Sequence, residues 1–378
     1  MLGEISVLFE TMKAQPKKQC VGLQHIARFL IFLCGAEVFR DCPLFSYQRR
    51  SIMPDYSTSY MGLRLRNPII VASSGLTRNL DRVLECERAG AGAVVLKSLF
   101  EEVLARDDFG LKESTVDHTE AYDYYYAHLE LLYGAKDYTD LIREAKAKTS
   151  IPVIASINCV STEWWPDFAT QVEAAGADAL ELNVFATATD LTVDGRQMEE
   201  LYYRILTTVK AKVGIPVALK ISPYFSSLPN VAVEFGKRDL DGLVLFNRFT
   251  QPDIDIRERK LRTTFSWSSG DEMHLPLRWT AMMSHYLPYD LCATTGIKTA
   301  EDVIKLLLAG AAAVQLASVL YEEGLDTIAT MREAIEAWMT EQHYERITDF
   351  RGSLNFHRAD DAAHYLRAQF MEKIREVE

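Results

Sequence analysis

The sequence predicts a (β/α)₈ barrel, the TIM-barrel architecture, with rim insertions after strands 2 and 6, and three observations lead there. One phrase recurs along the chain: a helical pattern, then Ala-Gly-Ala or a close variant, then a run of β-branched residues and leucine. It reads AGAGAVVLKS at 89–98, AAGADALELN at 174–183 and LAGAAAVQLA at 308–317, with a looser copy, KRDLDGLVLFN, at 237–247. Glycine ends a helix, and a continuous apolar run suits a parallel strand buried on both faces. Strands entered through proline complete the set: NPIIVASS (67–74), SIPVIASI (150–157), GIPVALKI (214–221) and LPYDLCAT (287–294). Finally, eight strand–helix units suit closure, and no GxGxxG follows the first strand, which leaves a doubly wound sheet as the second choice.

Taken in order, the strands fall near 69–72, 93–97, 152–157, 178–183, 216–221, 242–247, 289–293 and 312–317. Helical spacing fills the intervals at 79–89, 136–148, 163–175, 198–212, 276–286 and 299–309. Two intervals are too long to be simple connections. Phe100 to Gly134, with Tyr122, Tyr124, Tyr125 and Tyr126, follows the second strand; its tyrosines suit packing or an oligomer contact as well as a substrate. Arg248 to Pro276 follows the sixth, and IDIRERKLR within it reads as a small hairpin over the mouth. Charged amphipathic helices near 326–340 and 358–376 close the outer layer, so residues 53–378 form the barrel with its C-terminal helices.

Residues 1–52 are expected to stand outside the fold, because nothing in them has a partner in the repeating pattern. Their one apolar run, Cys20 to Phe39, is interrupted by His25, Arg28 and Glu37 and spans no bilayer cleanly. It reads as sequence upstream of a start at Met53, with an amphipathic membrane-surface helix at 20–39 and an export signal as alternatives.

The 378 residues are 48% hydrophobic and 25% charged, enough for a full core. A formal net charge of −12 argues against a nucleic-acid or anionic-membrane surface. Six cysteines show neither CxxC pairing nor zinc-like spacing with histidine, which suggests a reducing compartment, a cytoplasmic protein and no metal.

The last two barrel strands each run into a turn of small residues, Thr294-Thr295-Gly296 and Ala317-Ser318. Such turns expose backbone N–H groups suited to a phosphate, although close helix–strand packing uses the same residues. Polar residues also sit at strand ends within otherwise apolar runs: Ser73, Ser74, Lys97, Asn158, Asn183, Lys220 and Asn247. A buried ammonium needs an acceptor. Two lysines and three asparagines converging on a barrel mouth beside a phosphate turn make FMN the leading ligand.

NPIIVASSGL (67–76), AGAVVLKSLFEE (91–102), ELNVFATA (181–188), ALKISPYF (218–225), ATTGIKTAEDVIKLLLAGAAAVQLASVLYEEG (293–324) and TDFRG (348–352) resemble, in order, the signatures of the dihydroorotate dehydrogenase family, nearest its soluble class 1 form. The likeness covers about residues 55–355. It implies FMN at the mouth of the barrel, with Ala72 and Ser73 against the flavin. By the same resemblance Lys97 and Lys220 bond the ring and ribityl oxygens, Asn183 faces flavin and substrate, and Asn247 holds the substrate. Thr295, Gly296, Ala317 and Ser318 carry the phosphate, Ala317 standing where the family usually has glycine. Lys97, Asn183, Lys220 and Asn247 form the implied catalytic set, and Asn158 joins the cofactor side.

The substrate half departs from that pattern. The family's base, a Cys or Ser three residues after the strand-4 Asn, is here Ala186, and the Asn two places on is Ala188. No Asn occurs between Asn79 and Asn158, where the family carries an Asn-rich substrate motif, and the Ser or Thr expected after Asn247 is Arg248. Thr187, Thr189, Cys159 or a Tyr or His from 118–128 are candidate substitutes for the base. Arg248 suits a substrate carboxylate, or a pairing with Asp253 or Asp255. The expectation is an FMN-dependent oxidoreductase acting on a CH–CH group, dihydroorotate to orotate in pyrimidine biosynthesis. The alternatives are a different small carboxylated or cyclic substrate, or flavin binding without turnover. The resemblance further implies a homodimer, and leaves the electron acceptor open.

Overall fold

The structure, a computed structural model, describes residues 54–100, 135–158, 164–186, 190–248, 252–263 and 266–366. The N-terminal extension, the tyrosine-rich insertion, Cys159, Thr187 and Thr189 lie outside the described residues.

The described chain opens with an antiparallel hairpin, β1 (Thr58–Tyr60) and β2 (Leu63–Leu65), turned through Met61 and Gly62 at φ 52° and 76°. Two consecutive positive φ values are what a two-residue hairpin turn of this hand requires. β3 (Ile69–Val71), α1 (Leu80–Arg88), β4 (Ala93–Val95) and a short β5 (Leu99–Phe100) follow. Then come α2 (Ala135–Lys148), β6 (Val153–Asn158), α3 (Trp164–Ala174), β7 (Ala179–Asn183), α4 (Gly195–Lys210), β8 (Val217–Ile221), α5 (Leu228–Gly236) and β9 (Gly242–Leu245). The insertion hairpin β10 (Pro252–Asp255) and β11 (Lys260–Thr263) precedes α6 (His274–Met283), β12 (Asp290–Thr294), α7 (Ala300–Ala309), β13 (Ala313–Leu316), α8 (Ser318–Glu322) and α9 (Thr327–Glu341).

β3, β4, β6, β7, β8, β9, β12 and β13 pair in parallel around a closed ring of eight strands, β13 against β3 and β4 against β6. The predicted (β/α)₈ barrel is therefore the observed fold, with every predicted strand present. Of the helices, α5 escaped the sequence reading because Pro229 sits in its first turn and it is only nine residues long. The helix expected over 358–376 does not form across its described part, where turns and a 3-10 segment at Ala362–Tyr365 replace it.

Two apolar layers hold the barrel. The outer one lies between strands and helices and includes Trp165, Phe168, Tyr202 and Phe235. The inner one fills the barrel with small residues, Ala93, Ala179, Ala218 and Ala313, beside Ile70, Val95, Ile154, Val244 and Cys292. Tyr60, Met61 and Leu65 of the hairpin enter this layer from the N-terminal end. The fit is close: a Cβ on Gly242 would stand 2.8 Å from Met61 Cγ and 3.0 Å from Tyr60 Oη. Asp290, at the start of β12, holds the hairpin by accepting from Met61 N (2.9 Å), and Arg351 of the TDFRG segment donates to its other oxygen (2.9 Å). The N-terminal end is thus sealed, and the opposite end is left for ligands.

Candidate active site

Alternate residues of a strand face one way, so each barrel strand carries one inward row. Low in the barrel these rows are apolar: Ile70, Ala93, Ile154, Ala179, Ala218 and Cys292. Two or four residues further on, the same rows carry Ala72, Lys97, Ser156, Asn158, Glu181, Asn183, Lys220, Thr294 and Gln315. A polar layer therefore crowns an apolar plug at the C-terminal ends of the strands.

A cavity of about 230 Å³ opens there. It is lined by Ala72, Ser73, Asn183, Lys220, Asn247, Arg248, Thr295, Gly296, Ala317 and Ser318, with Phe246, Ser268 and Gln315 among the rest. Of the residues singled out in the sequence, Ser74, Lys97, Asn158 and Ala186 are not in this wall, and Cys159, Thr187 and Thr189 lie outside the described residues. Lys97 is half-buried, and that burial, with Arg78 nearby, lowers its pKa.

Ser98 organises one wall. Its N–H donates to Ser73 Oγ (2.9 Å), and its hydroxyl meets Ser73 Oγ (3.0 Å) and Ser156 Oγ (2.7 Å). The Asn183 amide donates Nδ2 to Ser98 Oγ (3.3 Å), which leaves Asn183 Oδ1 buried without a hydrogen-bond partner. Tyr138 Oη stands behind, accepting from Ser156 N (2.8 Å) and donating to Ser156 O (2.9 Å). On the neighbouring wall the Asn247 amide donates to the carbonyls of Val184 (3.3 Å) and Lys220 (3.4 Å).

Glu181, on β7, is 1% exposed. Its Oε2 accepts from Gln315 Nε2 (2.5 Å) on β13, and its Oε1 lies 3.8 Å from Lys220 Nζ on β8. Gln315 Oε1 is buried and has no hydrogen-bond partner. Sequence reasoning missed Glu181, Gln315, Ser98 and Ser156. The signal was available: a carboxylate two residues before Asn183 and an amide inside AAVQLA both fall on the inward rows.

The turn after β12 is strained. Thr295 has φ 80° and Gly296 φ 75°, the first unusual for a β-branched residue. Thr295 Oγ1 donates to Phe246 O at 3.3 Å. Gly296 packs against the insertion, since a Cβ there would stand 2.3 Å from Met273 N and 2.8 Å from Ser269 O. The insertion is joined to the second turn as well: Ser268 N donates to Ser318 Oγ (3.2 Å), and Trp267 stacks on Tyr321 with centroids 4.7 Å apart.

Arg248 belongs to the same construction. Its Nε donates to Glu272 Oε2 (2.8 Å) and its Nη1 to Ser266 O (2.6 Å), so its partner is Glu272 rather than Asp253 or Asp255. Burial pushes the Glu272 carboxyl up, but the Arg248 hydrogen bond, the Ser269 N–H and the charges of Arg248 and Lys298 hold it below its ordinary value.

Among the described residues lining the cavity, Lys220 and Arg248 are the ionisable ones. Ala186 lies beside Tyr202, whose phenol is pushed up to about 12 by burial despite hydrogen bonding to Ser222 and the Ala186 backbone, so it is no base near neutral pH. Among the described residues no group of His, Cys, Asp and Glu could hold a metal, and no helix is long and apolar enough to cross a membrane.

Comparison with known proteins agrees with this architecture. The family model described as dihydroorotate dehydrogenase matches residues 56–339. The catalytic subunit of dihydroorotate dehydrogenase B (NAD(+)) from Thermoplasma acidophilum is 28% identical over 313 residues, covering 79% of this chain and 99% of that protein. The same-named subunit of Pyrococcus abyssi is 27% identical over 306 residues, 77% and 96% of the two chains. Subunit PreA of the NAD-dependent dihydropyrimidine dehydrogenase of Escherichia coli is 23% identical over 322 residues, 80% and 77% of the two. With the matched span covering the whole closed ring of strands and its mouth, the chain belongs to the dihydroorotate dehydrogenase family.

Proposed function

We propose that the protein is an FMN-dependent oxidoreductase acting on a CH–CH bond of a small cyclic or carboxylated substrate. One observation carries this most: the polar layer at the mouth leaves two buried acceptors, Asn183 Oδ1 and Gln315 Oε1, without donors, around a buried lysine. Groups of that kind are expensive to bury unless a ligand completes them. The residues fit FMN, whose ring system offers both N–H and carbonyl groups and whose phosphate suits the turns at Thr295-Gly296 and Ala317-Ser318. Lys220, Asn183 and Gln315 would hold the ring end, and Ser73 and Ala72 would lie along it. Bound FMN would supply hydride acceptance for oxidation of a CH–CH bond to C=C, and the proton lost with the hydride would need a base that the described residues of the wall do not provide. Lys220 would place its positive charge beside the ring end of the cofactor, and Asn247, anchored by its amide nitrogen to two backbone carbonyls, would have its amide oxygen free for substrate.

Dihydroorotate is the first substrate to test, on the strength of the family. Ala186, at the position where the family carries its base, offers no proton acceptor, which favours a second reading in which the cofactor half is kept and another substrate is used. Loss of a positioned base costs on the order of 10²–10⁴ in rate. The relatives are named as subunits, and we place this chain likewise as a catalytic subunit, with its electron acceptor on a partner and a homodimer of barrels as the core. The purified protein is expected to be yellow, with an FMN absorbance spectrum. Anaerobic titration with dihydroorotate should bleach it slowly. A colourless protein that does not take up FMN would refute the assignment.

A further inference from the structure

The barrel interior contains a carboxylate where the strand pattern calls for an apolar residue. Glu181 is 1% exposed, on the inward row of β7 and two residues below Asn183. It is not part of the cavity wall, whereas its two neighbours, Lys220 and Gln315, are. A buried ion pair is seldom a net source of stability compared with apolar packing, so its presence calls for another reason. The geometry supplies one. Glu181 Oε2 is held by Gln315 Nε2 at 2.5 Å, which turns Oε1 to lie 3.8 Å from Lys220 Nζ without any hydrogen-bond partner of its own. That separation is too long for a hydrogen bond, so the ammonium donors are not used up on Glu181, and Lys220 lines the cavity.

We propose that Glu181 is a positioning residue that sets how much positive charge Lys220 presents to the bound flavin, with Gln315 fixing the carboxylate from the far side of the barrel. The inference rests on the reading of this cavity as an FMN site. In a water-poor interior a carboxylate behind the lysine offsets part of the attraction between the ammonium and the anionic reduced ring. Glu181 therefore holds the flavin at a lower reduction potential than Lys220 alone would give. Gln315 orients the carboxylate with its amide nitrogen, and its own Oε1 is buried without a hydrogen-bond partner. A single buried triad couples the two.

The test is the midpoint potential of bound FMN, measured spectroelectrochemically in the full-length protein and in Glu181→Gln. The amide keeps the shape and removes the charge. The ratio of affinities for reduced over oxidised FMN is expected to rise at least about tenfold, a shift of about 30 mV to more positive values for a two-electron couple. Sulfite, which forms an anionic adduct with oxidised flavin, should bind the variant more tightly in parallel. Glu181→Asp restores the charge and is expected to return the potential toward that of the parent. An unchanged potential in a yellow Glu181→Gln protein overturns the proposal while leaving the FMN assignment intact. If Glu181→Gln does not hold FMN, Gln315→Met decides: freeing the carboxylate from its clamp must move the potential, and no movement overturns the proposal. A parent protein that refuses FMN sinks the assignment and this inference together.

Discussion

Arg248 and Glu272 form a clasp across the insertion that follows β9, with Nε 2.8 Å from Oε2 and Nη1 2.6 Å from Ser266 O. The guanidinium thus reads as a tie for the rim segment, and its fork is occupied from one side by the protein itself. If that is its role, Glu272→Ala reproduces Arg248→Ala. Both should loosen the stack of Trp267 on Tyr321, seen in tryptophan fluorescence, and raise substrate KM alike, by up to about fivefold for a pair near one-third exposed. A large rise in KM confined to Arg248→Ala would instead assign the guanidinium to a substrate carboxylate.

The same clasp has a pH sign. The folded-state pKa of Glu272 lies below its unfolded value, so the stabilisation is complete above the ordinary carboxylate range, near 4.3. It is lost as pH falls through the lowered folded value. Acid titration of Trp267 fluorescence, read against Trp267→Phe, should show the insertion loosening only below about pH 4. Loosening near neutral pH would show that another group controls it.

Thr295 stores strain at the turn after β12, the turn proposed to hold the FMN phosphate. A β-branched residue at φ 80° costs about 1–3 kcal/mol, against about 0.5–1 kcal/mol lost in chain entropy when glycine replaces another residue. Thr295→Gly is therefore expected to leave stability in denaturant unchanged or raise it by up to about 2 kcal/mol. FMN binding should move the other way, about two- to tenfold weaker, because the hydroxyl bond to Phe246 O that fixes the turn is gone. A variant both less stable and unaltered in FMN affinity would mean that the strain is not tied to the ligand.

The strands were legible because a buried parallel strand has to be a continuous apolar run, and the helix before the last strand announced its end: Gly310, at φ 117°, closes α7 where the sequence places it. The residues at the strand ends were legible for the complementary reason, since Lys220 and Asn183 interrupt such runs. Glu181 and Gln315 were harder to read. They sit within the runs rather than at their ends, and only counting by twos from Ala179 and Ala313 turns them inward. The role of Arg248 was not legible at all, because Glu272 lies 24 positions away in an insertion with no repeating pattern. A clasp of that kind depends on where a loop returns, which no local periodicity encodes.

Gly242 lies at the closed end of the barrel, where Met61 and Tyr60 leave no room for a side chain. Gly242→Ala should destabilise the fold by about 1–3 kcal/mol through overpacking. Met61→Ala in the same chain should make room, so that the double variant is less destabilised than the sum of the two single changes. The spectrum of bound FMN should not change in any of the three, since the mouth lies at the other end. Equal additivity would show that the contact is relieved elsewhere.

Ala186 is the sharpest test of which substrate the mouth accepts. It lies three residues after Asn183, half-buried against the outer core, and neither Tyr202 nor any described residue of the cavity wall offers a base in its place. If dihydroorotate is the substrate and a base is all that is missing, Ala186→Cys should accelerate anaerobic flavin reduction by about 10²-fold or more. That gain should grow as pH rises toward the ordinary thiol range, near 8.5, because the thiolate is the active form. Ala186→Ser gives a smaller gain with a flatter pH profile, a hydroxyl needing its own activation. Should Ala186→Cys bind FMN normally and still leave dihydroorotate unreacted, the missing base is not the obstacle. The rewritten half of the site, from Ala186 to Arg248, then selects a different molecule.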